Sequence, residues 1–205
     1  LFLEYLAEKY GEWPMPRSVY ADISAFIEKQ QPAAIAFDLM FVNSMKSSKE
    51  ADLRLAKEFK NNSNFKAIRL SYVVSSKARF VSYCLKCVES NDVADVFHPF
   101  YRNCIVVDDV VNTVMWFLLH WDEYEYFALN VAGEELVSRV RIADELNRLL
   151  NGRLQYNISS PPESFYENRP RITQMESLYT KKYKILEACS FTEKFFKQVK
   201  ESILI

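Results

Sequence analysis

The chain has 205 residues and only three glycines, Gly11, Gly133 and Gly152. Average usage of about 7% would supply roughly fourteen. A phosphate-cradling loop, whether of the dinucleotide or the P-loop kind, needs several glycines within one turn, because backbone N–H groups must approach the phosphate closely. Three isolated glycines build neither. NAD(P) or ATP binding by those devices is therefore excluded for this chain alone, and no cofactor is expected. Charge narrows the partners further. There are 26 Lys plus Arg against 27 Asp plus Glu, a formal net charge of −1, which gives no electrostatic ground for a nucleic-acid partner. The longest apolar runs, such as Val114 to Leu119, fall far short of the ~20 residues of a membrane-spanning helix. Leu1-Phe2-Leu3-Glu4 lacks the basic start of a signal peptide, and the absence of an initiating Met fits a fragment or a processed product.

Apolar residues make up 49% of the chain and charged residues 26%, the balance of a chain that folds around a core. Four cysteines occur, Cys84, Cys87, Cys104 and Cys189. Cys84-Leu85-Lys86-Cys87 has zinc or redox spacing, but a structural zinc site needs four ligands. A second C-x-x-C is missing, and His98 and His120 stand at no ligand spacing from each other. The pair also falls in the middle of a helical pattern, where redox pairs are not usually found. Buried thiols in a reducing compartment are the expectation, with no metal.

Periodicity organises the rest. Residues 1–10 place Leu3, Leu6, Ala7 and Tyr10 on one helical face. Gly11 ends that helix, and Trp13-Pro14-Met15-Pro16 reads as an extended corner. Ser18 caps a helix with Val19, Ile23, Phe26 and Ile27 inward, and Pro32 stops it. Ala33 to Phe41 reads as a buried parallel strand. A helix opens at Ser47-Ser48 and runs to about Lys60. Asn61-Asn62-Ser63-Asn64 is turn-rich and marks the boundary between segments 1–63 and 64–205. Further strands are expected at Ala67–Val74, Asn103–Val107, Tyr126–Val131 and Leu154–Ile158. Helices are expected at Arg79–Glu89, Asp108–His120, Val137–Leu150, Thr173–Tyr183 and Thr192–Ile203, with a proline-bearing loop at Ser159–Arg171. Strands alternate with helices, so the class is α/β, with a largely parallel or mixed sheet and flanking helices.

Five separate motifs carry a resemblance over Phe65 to Ile205. They are Ile68-Arg69-Leu70-Ser71-Tyr72-Val73, His98 through Ile105, Val107-Asp108-Asp109-Val110-Val111, Asn130-Val131-Ala132-Gly133, and Arg169-Pro170-Arg171. In order and spacing they resemble the C-terminal, substrate-domain half of extended short-chain dehydrogenases, with the flavour of sugar-nucleotide epimerases and dehydrorhamnose reductases. The resemblance implies an incomplete Rossmann-like arrangement. It implies that Arg69 ends a central strand, that Arg102 lies near the diphosphate of a nucleotide-sugar, and that Arg169 lies in a late loop contacting the nucleotide. Asn130 joins these as a substrate-binding residue, and the Asp108-Asp109 pair starts a helix that helps close the cleft. A guanidinium suits phosphate, since it can donate two parallel hydrogen bonds.

The family's catalytic Tyr, with a Lys four residues later, would fall at Met45 and Lys49. A thioether donates no proton, so no catalytic residue is assigned, and Lys49 reads as an ordinary helix-surface lysine. The first part resembles something else. Gly11 through Ala21, Ala34 through Phe41 and Asp52 through Ala56 are similar to the start of the CHASE-type sensor domain of bacterial receptor kinases and cyclases, the variety with a W-P-x-P-R signature. That resemblance covers residues 11–55. Two half-resemblances meeting near Asn61–Asn64 imply a fused, rearranged or designed chain.

The expected function is that of a relative of NAD(P)-dependent sugar-nucleotide epimerases and reductases that retains the substrate half, without turnover by itself. The alternatives are a sensor or ligand-binding module, and a structural protein with no small-molecule activity. The expected ligand is a nucleotide-sugar, and NAD(P) is the cofactor of the resembled family only. Each half alone would expose a sheet edge, so the expectation is that the halves join in one sheet or that a partner covers them, a second copy of the chain in a homo-oligomer being one such partner. The expected setting is cytoplasmic, with an extracytoplasmic sensor region as the alternative.

Overall fold

The computed structural model describes residues 17–29, 48–61, 66–167 and 169–203. The helix expected at 1–10, the Trp13–Pro16 corner, the strand at 33–41 and Met45 lie outside the described residues. The chain divides into two units, residues 1–67 and 68–205.

In the first unit, helix α1 spans Arg17–Glu28 and α2 spans Lys49–Asn61. They pack through Val19, Tyr20, Ala21 and Leu55, with Ile23 and Phe59 against them. Ser48 caps α2 by accepting the Ala51 N–H at 3.1 Å. Arg17 pairs with Asp52 at 2.9 Å. Two expectations are corrected here. α1 already includes Ser18 rather than starting after it. Phe26 is 67% exposed, because the buried stripe runs through Val19, Tyr20, Ala21 and Ser24.

In the second unit, the elements are β1 (Ala67–Leu70), β2 (Tyr72–Val74), α3 (Arg79–Ser90), β3 (Ala94–Phe97), β4 (Tyr101–Val106), α4 (Val107–Leu119), β5 (Ala128–Val131), β6 (Leu136–Ser138), α5 (Arg139–Leu149), β7 (Tyr156–Ser159), the short α6 (Glu163–Tyr166), β8 (Ile172–Thr173), α7 (Leu178–Lys182) and α8 (Phe191–Ile203). β4 is the hub. It pairs with β2 in parallel, with β6 antiparallel and with β8 in parallel. β3 and β7 form a second, parallel pair, and β1 pairs with β5.

The single strand expected over Ala67–Val74 is two strands. Ser71 divides it: its N–H donates to the Val131 carbonyl at 2.9 Å, and its hydroxyl donates to the Asn103 carbonyl. Those two bonds tie one residue to two different neighbours, so β1 goes to β5 and β2 goes to β4. Strands β3, β6 and β8, which hydrophobic patterning did not suggest, complete the pairs.

Successive side chains of a strand point to opposite faces, and β4 uses both. Cys104 enters a core with Val74, Phe80, Val81, Cys84, Val96, Ala143, Leu146 and Phe195. Ile105 enters another with Phe117, Tyr124, Leu129, Val131 and Ile185. Helices α3, α5 and α8 feed the first core, and α4 feeds the second. Gly133 lets the chain pass β4 closely, since a Cβ there would sit 2.0 Å from the Cys104 carbonyl oxygen. Buried Asn103 then fastens that crossing, donating to the Gly133 carbonyl at 3.0 Å and accepting the Met175 N–H at 2.9 Å.

Candidate functional site

The N-terminal end of β4 gathers arginines and aromatic rings. Phe100 is buried just before the strand. The guanidinium carbon of Arg102 lies 4.0 Å from the centre of its ring, and that of Arg139 lies 4.5 Å from the same centre. Arg139 is brought there because Ser138 caps α5, accepting the Arg141 N–H at 3.0 Å, which makes Arg139 the first helical residue. The Arg139 N–H also donates to the Phe100 carbonyl at 3.3 Å. Phe165 carries the cluster onward: Arg139 lies 5.6 Å from its ring and Arg169 lies 5.1 Å from it. Phe165 meets Phe97 and Phe100 edge-on, at 5.1 and 5.5 Å. Two phenyl rings thus interleave three guanidiniums.

β8 fixes the remaining wall. The Tyr101 N–H donates to the Arg171 carbonyl at 2.7 Å, and Arg102 Nη1 donates to the Tyr101 carbonyl at 2.6 Å. The Tyr166 hydroxyl donates to the Pro99 carbonyl at 2.8 Å, and Arg171 stacks 4.4 Å above the Tyr166 ring. Arg171 has a carboxylate, Glu163, at 2.6 Å. Arg102, Arg139 and Arg169 have none among the described residues.

Burial is the first cause that holds the Arg139 guanidinium below its ordinary pKa; Tyr72 opposes this, and the Arg169 charge adds to it. Arg102 is held down the same way, by burial and then by the Arg139 charge. Burial also raises the Tyr72 phenol, which stays protonated and can donate a hydrogen bond. The group is cationic and donor-rich, with aromatic walls, and is chemically suited to hold an anion. Near it, His98 Nδ1 is buried and has no hydrogen-bond partner among the described residues, and its ring meets Tyr101 edge-on at 5.6 Å.

Of the residues singled out in the sequence, the structure brings Arg102 and Arg169 into one cluster. Arg69 does not join them: it is exposed on β1, which pairs with β5 alone among the described residues, so it ends no central strand. Asn130 sits on β5, and its side-chain amide donates to the Glu176 carbonyl at 3.2 Å while Ser177 bonds its carbonyl. Asp109 is buried and spoken for, accepting the Val106 N–H at 3.2 Å and pairing with Lys194 of α8 at 2.7 Å. Asp108 lies 3.8 Å from Lys197 and bonds Gln198 through its N–H. The pair therefore anchors α4 to α8. Lys49 is exposed at the start of α2. Cys84, Cys87 and Cys104 are buried thiols and Cys189 is exposed. Arg139 was missed, because one arginine at a helix start carries no signal until its neighbours in space are known.

The mixed α/β fold is similar to that of solved Rossmann-like enzymes that act on sugar nucleotides. A dTDP-4-dehydrorhamnose reductase from Clostridium acetobutylicum superposes with a TM-score of 0.60 at 14% identity, over 84% of this chain and 62% of that one. The UDP-glucuronic acid 4-epimerase of Bacillus cereus, solved with UDP-glucuronic acid and NAD, gives 0.56 at 14% identity, over 84% and 57%. The UDP-glucose 4-epimerase of Thermotoga maritima, solved with UDP-glucose, gives 0.56 at 13%, over 74% and 50%. At such identities the likeness is one of fold, and the chain spans about half to three-fifths of the length of these enzymes. The CHASE2 domain model matches residues 4–196. The chain belongs to the CHASE2 domain family, and the match runs through both segments distinguished in the sequence. None of the curated proteins matches it.

Proposed function

We propose that this chain is a ligand-binding sensor module that retains the substrate half of the epimerase fold without its turnover. In this reading, segments 1–63 and 64–205 are parts of one CHASE2 module. The ligand is a nucleotide-sugar, held through Arg102 and Arg169. The observation that carries the reading is the set of guanidiniums on Phe100 and Phe165 that lack carboxylate partners among the described residues. Arg102 and Arg139 are half-buried and Arg169 is exposed, so an anion entering the cluster would meet guanidiniums that no carboxylate has neutralised. The glycine content supports the further point that NAD(P) is not bound by a glycine-rich turn.

The module acts by occupancy, not chemistry, and its setting is an extracytoplasmic sensor region or the cytoplasm. Self-association belongs to the same proposal and is read by light scattering. Isothermal titration of the whole chain with UDP- and dTDP-sugars, and separately with NAD(H) and NADP(H), tests the reading. Saturable binding of a nucleotide-sugar without nicotinamide binding is the expected result. Micromolar NAD affinity, or turnover of a nucleotide-sugar with reduced nicotinamide, would overturn it.

A further inference from the structure

Helix α4 is apolar on two faces. Asp109, Thr113 and Phe117 are buried on the inner one, where Val110 and Trp116 pack against the core of Ile105 and Tyr124. On the outer one, Val107, Val111, Val114, Met115, Leu118 and Leu119 are between 38% and 72% exposed. At ~3.6 residues per turn, Val107, Val111, Val114 and Leu118 fall in one stripe, with Met115 beside it. Their 4-3-4 spacing is that of the seam along which two helices interlock, knobs into holes. No residue from Val110 to Trp121 is Asp, Glu, Lys or Arg. Helices α5 and α8 behave differently: α5 exposes Arg141, Asp144 and Arg148, and α8 exposes Glu193, Lys197 and Lys200. A helix apolar all round is ordinarily buried all round, and among the described residues only one side of α4 is covered.

We propose that the outer stripe of α4 is the contact through which two copies of this chain pair, α4 against α4 across a two-fold axis. The inference rests on the self-association proposed above and goes beyond it by naming the surface. Charge, area and composition choose the occupant. The stripe carries no charge for an ion-pairing partner to recognise, so its complement is apolar and shaped to a helix. A second copy supplies that complement in the same 4-3-4 spacing. The six outer residues, at their exposures, present about 500 Å² of surface, the size of patch that marks a contact site. Two such stripes facing each other remove about 1,000 Å² from water, which is where specific interfaces begin. A lipid surface fits worse, since α4 contains no Lys or Arg, and helices that lie on membranes carry them on their polar face.

The test uses the whole chain and a variant carrying Val111→Glu with Met115→Glu. Each is followed by sedimentation equilibrium over a range of concentrations, and circular dichroism checks the fold. Both positions are about half exposed in one copy, so the new charges should leave the single chain folded and act only where a partner covers them. Expected is a parent that dimerises and a folded variant that stays monomeric at the same concentrations. Should the charged variant not fold, Val111→Ala with Leu118→Ala keeps the stripe apolar but shrinks it. The dissociation constant of that dimer should rise about 10- to 100-fold. A parent dimer whose dissociation constant neither variant changes overturns this surface and leaves self-association standing. A parent that stays monomeric, whether or not it sediments with lipid vesicles, overturns both. Calorimetry with a UDP-sugar should give the same affinity for parent and variants, since α4 lies outside the arginine cluster, so the ligand reading stands or falls separately.

Discussion

Single residues set the closest tolerances in this molecule. Gly133 is the sharpest case, because the Cys104 carbonyl occupies the space a Cβ would need, 2.0 Å away. Gly133→Ala should therefore destabilise the chain by about 3 kcal/mol, the upper range of overpacking. Urea unfolding checks it, and an unchanged midpoint would mean that the crossing over β4 is looser than described. The cysteines give a second prediction. Burial, with Cys87 adding, pushes the Cys84 thiol up to about 12, and burial alone does the same for Cys104. Cys189 is exposed and the other three thiols are buried, so native chain at neutral pH should label at Cys189, and Cys84, Cys87 and Cys104 should label only on unfolding. Peptide mapping after alkylation reads this directly. Sequence alone supplied the buried character of the C-x-x-C pair, since its helix has an apolar face at Phe80, Val81, Cys84 and Cys87. It could not supply Arg139, whose significance comes wholly from rings at positions 80, 97, 100 and 165.

At the scale of elements, legibility followed length and chemistry. α4 was readable because Asp108 and Asp109 sit in its first turn, where carboxylates meet free N–H groups. β3 and β6 were not, being four and three residues long, too short for alternation to register. β2 was merged with β1 because no pattern announces that Ser71 will bond two different strands. The α4–α8 joint depends on one buried ion pair, with Asp109 4% and Lys194 14% exposed. Lys194→Met strands that carboxylate and should cost about 3–5 kcal/mol. The double variant Asp109→Asn with Lys194→Met should recover much of the loss, because the charge left without a partner is gone. If Lys194→Met alone proves harmless, the pair is not what fastens α8.

β7 is held to α5 by a bond from the Tyr156 hydroxyl to Asp144, and that bond, with burial behind it, pushes the phenol up to about 12. A phenol raised in the folded state stabilises fully below its unfolded pKa of ~10 and loses that contribution as pH rises through the folded value. The stability difference between parent and Tyr156→Phe should therefore be constant below about pH 10, at no more than ~1 kcal/mol. It should close as pH approaches about 12. Denaturant midpoints across that range check it; a gap that widened with pH would reverse the direction of the linkage.

For the molecule as a whole, the proposed reading is of an epimerase-like scaffold that works without epimerase chemistry. Hydride transfer needs a nicotinamide held at a glycine-rich turn and a proton donor aimed at the sugar. The three glycines are isolated, and the resemblance drawn from the sequence puts Met45 where the donor would stand. The two deficits are independent, so repairing one should not restore the other. Met45→Tyr would recreate a Tyr four residues before Lys49, yet the chain would still have no glycine-rich turn for the hydride carrier. We expect background oxidation of NADH and NADPH by both parent and Met45→Tyr with UDP- or dTDP-sugars present, followed by absorbance of the reduced nicotinamide. Calorimetry on the same samples should show that the variant binds nucleotide-sugar as the parent does. Turnover by the parent would return this chain to the enzymes it resembles in fold. Turnover by the variant alone would mean that a nicotinamide binds without a glycine-rich turn, and that the proton donor was the only part missing.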